Sequence, residues 1–116
     1  MNISKIAYWI STILMCLIFM FSATMYFTKY EMVSGFFEHL GFPIWMIYPL
    51  AIAKVLGVIA ILSNQSKVLK EWAYAGFFFD AVMATAAHHM AGDGAIGLST
   101  LAIVLTLLSR FLDDKR

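Results

Sequence analysis

The chain has little charge and a single cysteine, and each scarcity excludes a class of protein. Asp, Glu, Lys and Arg make up 13% of the 116 residues, whereas a soluble domain carries about 25%. The lone Cys16 excludes an intramolecular disulfide, a CxxC redox pair and a four-thiolate metal site. A net charge of +1 gives no basic surface for nucleic acid. Hydrophobic residues reach 62%, more than a small domain can bury, so the composition predicts a membrane protein.

Four long apolar segments account for this composition. They cover residues 6–28, 42–62, 72–90 and 94–112, and each is close to the roughly 20 residues that a helix needs to cross a bilayer. Strands of a membrane barrel would alternate polar and apolar residues, and these segments do not. The sequence therefore predicts an all-α membrane protein, with residues 1–116 forming one transmembrane domain that is an antiparallel bundle of four transmembrane helices.

Positive charges are distributed unequally between the two sides of such a bundle. The side that holds both termini and the 63–71 loop carries six Lys and Arg residues, and the opposite side carries only Lys29. The six are Lys5, Lys67, Lys70, Arg110, Lys115 and Arg116. Because positive loops stay in the cytoplasm, both termini are predicted to be cytoplasmic. Aromatic residues near the segment ends, among them Tyr8, Tyr26 and Tyr74, are predicted to anchor the helices at the membrane interfaces.

The first outer loop, residues 29–41, contains apolar residues of its own. Ser34 is a candidate N-cap, and Phe36, Phe37 and Leu40 follow it. This pattern predicts a short interfacial helix on the outer membrane surface, with an irregular loop as the alternative.

Lys54 and Asp80 are the charged residues inside the apolar segments that demand explanation. Each lies eight residues from the inner end of its segment, which is about 12 Å along a helix. Since the two segments are joined by a short loop, we predict neighbouring helices and a buried Lys54–Asp80 ion pair. Two interpretations stay open: a structural pair that fixes the helix register, or a pair that handles protons or binds a ligand in a polar cavity.

Several polar and aromatic residues cluster towards the outer end. We predict that they line a cavity for a flat lipophilic molecule, with a neutral His88 imidazole donating a hydrogen bond and Ser22 at a similar height. The ligand-binding candidates are Ser22, Lys29, Trp45, Phe77 and His88. The histidines lack any strong ligand spacing, so no metal site is predicted. No catalytic residue is assigned.

The sequence resembles the DoxX-like family of small four-helix membrane proteins over essentially its whole length. The most specific part is residues 70–80, which read KEWAYAGFFFD. The looser pattern includes FSA at 21–23, Lys29, LGFP at 40–43, and Lys54 with Gly57.

The resemblance implies a multi-pass protein of a bacterial inner membrane, but no settled reaction. Some relatives are subunits of thiosulfate:quinone oxidoreductases or accessory proteins of oxidative-stress complexes, and more distant ones are membrane chaperones. The first hypothesis is therefore a quinone- or lipid-binding accessory subunit that works beside a redox-enzyme partner, with quinone as the cofactor to test. The alternative is a non-enzymatic assembly factor or chaperone that packs against another membrane protein. Catalysis by the chain itself and its oligomeric state are left open.

Overall fold

The computed structural model describes residues 2–91 and 96–115, and these form helices and turns with no strand among them. The helices are α1 (Ile3–Thr28), α2 (Tyr30–Leu40), α3 (Ile47–Ser63), α4 (Lys67–Ala91) and α5 (Ile96–Phe111). Two 3₁₀ turns cover Ile44–Met46 and Asp113–Lys115. The prediction of an all-α protein is confirmed. The predicted start of the fourth segment, residue 94, lies outside the described residues.

Local sequence explains where the helices begin and end. The Asn2 side chain caps α1 by accepting a hydrogen bond from the Lys5 N–H at 2.8 Å. Gly41, at φ 82°, ends α2 in the left-handed conformation that glycine tolerates best. Pro49 is the third residue of α3, where a backbone N–H has no acceptor within the helix, so the missing donor costs nothing.

Helix α2 is present, but it begins earlier than the sequence pattern indicates. The Lys29 N–H still donates to the Met25 carbonyl at 2.8 Å, and the Lys29 carbonyl accepts from Val33 at 3.0 Å. A single residue, Lys29, therefore separates α1 from α2. Ser34 lies inside α2, where its hydroxyl donates to the Glu31 carbonyl at 3.0 Å. The N-cap prediction for Ser34 is wrong because the helical hydrogen bonding resumes before that residue.

The four long helices form a ring in which α1 and α4 each contact both α3 and α5. Side-chain pairs show that α4 and α5 run antiparallel. Tyr74 of α4 meets Ser109 of α5, whereas Thr85, farther along α4, meets Ser99 near the start of α5. The described chain measures 45 × 26 × 21 Å, and a bilayer with its headgroups is about 40–45 Å thick.

Two segments of the described residues are long and apolar enough to cross a membrane, Ile3–Thr28 and Ile44–Ser63. Helix α4 has the length, 25 residues, but Asp80, His88 and His89 lower its hydropathy. The apolar part of α5 is shorter, Gly97–Phe111.

Two buried apolar clusters hold the bundle together. The larger one occupies the middle of the ring, where the Phe19 and Phe77 rings stack with centroids 4.0 Å apart. The smaller one lies beneath α2, where Val33 and Phe37 pack on Ile47. We call the end that carries α2 the α2 end, and the end that carries both termini the terminal end.

Candidate functional site

A cavity of about 720 Å³ lies between the larger apolar cluster and α2, with side chains from all five helices in its walls. Most of these walls are apolar. The polar residues that line it include Lys54, Asp80 and His88. Ser22 and Ser99 contribute hydroxyl groups. An apolar cavity with a few convergent polar groups is the usual form of a small-molecule site.

The polar groups farthest from the α2 end form a compact cluster around Lys54. Its Nζ atom donates a hydrogen bond to Ser22 Oγ at 2.7 Å and lies 4.0 Å from the centroid of the Tyr26 ring. The same atom is 3.7 Å from Asp80 Oδ2. The Lys54 side chain is 5% exposed and that of Asp80 is 28% exposed. We call Ser22, Tyr26, Lys54 and Asp80 the polar floor of the cavity.

Close packing of α3 against α4 positions the polar floor. Gly57 lies one turn along α3 from Lys54, and a Cβ atom there would lie 2.7 Å from Cζ of Phe77. Only glycine leaves room for this ring. Because Phe77 in turn stacks on Phe19, a layer of aromatic rings lies directly beneath the polar floor on the side of the terminal end.

Comparison with known proteins shows the family of the chain. The model of the DoxX-like family matches residues 10–111. The chain belongs to the DoxX-like family. No curated protein and no solved structure gives a significant match. Together with the apolar helices, membership indicates that this DoxX-like chain is a membrane protein associated with lipid.

The cavity of the DoxX-like protein includes two of the five ligand-binding candidates. Ser22 and His88 line it. Phe77 is buried in the aromatic layer below. Trp45 is 72% exposed in the turn before α3, and Lys29 joins α1 to α2 outside the cavity lining.

Ser22 and His88 were predicted to lie at a similar height, and they do not. Ser22 is at the polar floor with Lys54 and Asp80, whereas His88 is eight residues beyond Asp80 on α4, about 12 Å along the helix axis. The prediction is wrong because Phe19 of α1 is level with Phe77 of α4, a register that puts Ser22 beside Asp80. Ser22 therefore lies at the polar floor, and His88 lines the same cavity nearer the α2 end.

Tyr26 is a cavity residue that sequence reasoning assigned elsewhere. It was expected at the membrane interface, but its ring lies against Lys54 and lines the cavity. A signal for this was present in the sequence. Tyr26 follows Ser22 by four residues, and residues four apart share one face of a helix.

A second group of polar side chains is buried at the terminal end of the bundle. Ser109 Oγ lies 2.5 Å from the Thr12 hydroxyl and 2.7 Å from the Tyr74 hydroxyl. Lys70 Nζ lies 2.7 Å from Asp113 Oδ2, and it donates to Asn64 Oδ1 at 2.7 Å. Lys70, expected as a loop charge, is instead part of α4 and buried.

Two tyrosines that were predicted as interface anchors are buried inside the bundle at this end. Tyr8 is fully buried and Tyr74 nearly so. The Tyr74 hydroxyl forms a hydrogen bond with Ser109 of α5, so the ring turns inward. Within residues 2–91 and 96–115, no group of three or more His, Cys, Asp or Glu side chains is arranged to hold a metal ion.

Proposed function

We propose that this DoxX-like protein binds a quinone or a lipid in the cavity under α2 and serves as an accessory subunit of a membrane redox system. The observation that carries the proposal is the cavity itself. Its volume, about 720 Å³, lies within the range of about 300–1,000 Å³ of small-molecule sites. Its walls suit an apolar molecule, and the polar floor suits one polar head group.

The surface around the cavity supports entry from the lipid. Several of its lining side chains are also among the exposed large apolar residues of the bundle. They belong to α1, α2, α4 and α5, and they include Phe21, Phe36, Met83 and Leu98. An opening framed by such side chains faces hydrocarbon once the helices stand in a bilayer, so a lipophilic molecule reaches the cavity without crossing water.

The proposal places the protein in a bacterial inner membrane, with α1, α3, α4 and α5 crossing it and both termini in the cytoplasm. The unequal distribution of Lys and Arg supports this orientation. Single cysteines at Lys67 and Glu38, each in a Cys16→Ala background, test it on intact cells with an impermeant maleimide. We expect labelling at Glu38 and none at Lys67 until the cells are opened. The reverse pattern refutes the orientation.

Binding is tested with the protein in lipid nanodiscs and a fluorescent quinone. We expect the wild type to bind it, and Ser22→Ala and His88→Ala to bind more weakly. Ser22→Ala is also expected to melt at a lower temperature, because it removes the acceptor of the Lys54 hydrogen bond. Thr24→Ala is the matched control, because Thr24 is exposed and its hydroxyl donates to the Met20 carbonyl of its own helix at 2.8 Å. If the wild type binds no more quinone than empty nanodiscs do, the ligand-binding role fails and the assembly-factor role replaces it.

A further inference from the structure

The donors and acceptors of the polar floor do not satisfy one another. The Lys54 ammonium has three N–H donors. Ser22 Oγ accepts one, and the Tyr26 ring covers part of the group. The remaining neighbour, Asp80 Oδ2, is 3.7 Å away, beyond the length of a hydrogen bond. The Lys54–Asp80 pair is therefore an open one, with attraction between the charges but no hydrogen bond.

Asp80 is the less satisfied of the two residues. Its ion-pair partner is Lys54, and within the described part of the chain its carboxylate accepts no hydrogen bond. An ionised carboxylate offers about four acceptor positions. Asp80 also lines the cavity and is the more exposed member of the pair. In an apolar cavity, a carboxylate without donors is costly, and a ligand that brings a donor removes that cost.

One hydroxyl group complements both residues at once. Its O–H donates to the Asp80 carboxylate, and its oxygen accepts from the Lys54 ammonium, so a single oxygen atom bridges the open pair. A carbonyl oxygen accepts from Lys54 but leaves Asp80 without a donor, and its partial negative charge faces the carboxylate. The chemistry of the polar floor thus distinguishes a hydroxyl from a carbonyl on the same carbon skeleton.

The side chains that line the cavity indicate which class of molecule bears this hydroxyl. Aromatic side chains line the cavity, among them Phe21, Phe37 and Phe42 besides Tyr26 of the polar floor, and the Phe37 ring meets that of Tyr26 edge to face. Such rings favour a flat aromatic ligand through stacked and edge-to-face contacts. A phenolic O–H is also more acidic than that of an aliphatic alcohol, and it is the stronger donor to a carboxylate.

We propose that the polar floor binds the hydroxyl of a lipophilic phenol, held between Asp80 and Lys54, in preference to the carbonyl of the corresponding quinone. This inference rests on the proposed function and names its ligand class: the reduced, hydroxyl-bearing form is the one that the cavity holds.

The test measures the dissociation constants of four probes with the protein in nanodiscs under anaerobic conditions. The probes are a decyl-substituted hydroquinone, the corresponding benzoquinone, the dimethyl ether of that hydroquinone, and 4-decylcyclohexanol. A hydrogen bond to a charged group predicts that the hydroquinone binds at least about tenfold more tightly than the quinone or the ether. The cyclohexanol is expected to bind more weakly than the hydroquinone, because it lacks the aromatic ring and the acidic O–H.

A matched pair of variants assigns the preference to Asp80. Asp80→Asn removes the charged acceptor, and it is expected to reduce the advantage of the hydroquinone over the quinone to less than about threefold. Glu71→Gln also neutralises a carboxylate of α4, but Glu71 lies at the surface, paired with Arg110 at 2.8 Å and absent from the cavity lining. It is expected to keep the full preference.

Each outcome separates this inference from the function on which it rests. Equal or tighter binding of the quinone overturns the phenol preference and leaves the ligand-binding role intact. Equal binding of the cyclohexanol overturns the choice of a phenol over an alcohol. A preference that survives in Asp80→Asn overturns the assignment to that residue. If Asp80→Asn does not fold, the wild-type probe series still decides the preference. Binding of none of the probes above empty nanodiscs overturns both proposals.

Discussion

Gly57→Ala adds a single methyl group at the closest approach of α3 and α4. The new Cβ atom lies 2.7 Å from Cζ of Phe77 and 3.1 Å from its Cε1, well inside the contact distance of carbon atoms. Either the Phe77 ring or the α3 backbone therefore has to move. The ring cannot retreat freely, because it is buried and stacks on Phe19 with centroids 4.0 Å apart and planes 10° from parallel.

Two opposing effects set the size of the change in the free energy of unfolding. Forcing an extra methyl group into a packed core costs about 1–3 kcal/mol. Alanine stabilises a helix interior by about 1 kcal/mol relative to glycine. Gly76→Ala in α4 experiences only the second effect, because nothing lies within 4 Å of its added Cβ atom. We expect Gly57→Ala to be less stable than Gly76→Ala by about 1–3 kcal/mol, the cost of the clash alone.

Thermal unfolding in mild detergent, followed by circular dichroism, measures both variants against the wild type. Phe77→Leu provides a further check, since it removes the ring atoms that the new methyl group meets. In that background Gly57→Ala is expected to cost little or nothing, which gives a stabilising coupling in a double-mutant cycle. Equal melting temperatures for Gly57→Ala and Gly76→Ala refute the close approach of α3 and α4, and with it the placement of the polar floor.

Two further predictions concern the polar clusters. Lys54→Ala is expected to destabilise the bundle by about 3 kcal/mol and Asp80→Ala by less, with the double variant recovering part of the loss; strictly additive losses in unfolding experiments would show that the two residues do not interact. Tyr74→Phe removes the hydroxyl that meets Ser109 at 2.7 Å, so we expect a loss of about 1 kcal/mol with quinone binding unchanged. A weaker dissociation constant for this variant contradicts the separation of the terminal end from the cavity.

Helix arithmetic predicted the relation between Lys54 and Asp80 because helices are regular. A fixed rise per residue converts positions in two segments into depths, and a short connection makes the segments neighbours. The two side chains lie 3.7 Å apart. The same arithmetic placed Ser22 and His88 at one height, because each lies 16 residues from the inner end of its segment. The stacking of Phe19 on Phe77 shows a different register, in which Ser22 is level with Asp80.

The burial of Tyr8 and Tyr74 was not predictable from their positions. An aromatic residue near a helix end satisfies the pattern of an interface anchor, and the same residue turns inward when its hydroxyl forms a hydrogen bond with a distant partner. For Tyr74 that partner is Ser109, 35 residues away in the sequence. A cavity was predicted, but three of its five predicted lining residues do not line it. The cavity is the space that four helices and α2 leave between them, so no single segment encodes which side chains face it.

The described part of the bundle contains two Lys–Asp pairs, and loss of the carboxylate charge is expected to affect stability in one of them and ligand binding in the other. Lys70 and Asp113 form a closed pair: the charged atoms are 2.7 Å apart and both side chains are largely buried, at 9% and 12% exposure. Asp113→Asn breaks a charge-assisted hydrogen bond, so we expect a loss of about 3 kcal/mol or more in unfolding free energy. Lys54 and Asp80 have no hydrogen bond between them to lose, and the Asp80 carboxylate lines the cavity.

Asp80→Asn is therefore expected to be less destabilising than Asp113→Asn but to weaken hydroquinone binding, which Asp113→Asn leaves unchanged. Melting temperatures and dissociation constants of the two variants, measured in the same nanodiscs, give this comparison directly. If Asp80→Asn is the less stable variant and binds the hydroquinone as the wild type does, the open pair is a structural element like the closed one, and its free acceptor positions serve no ligand.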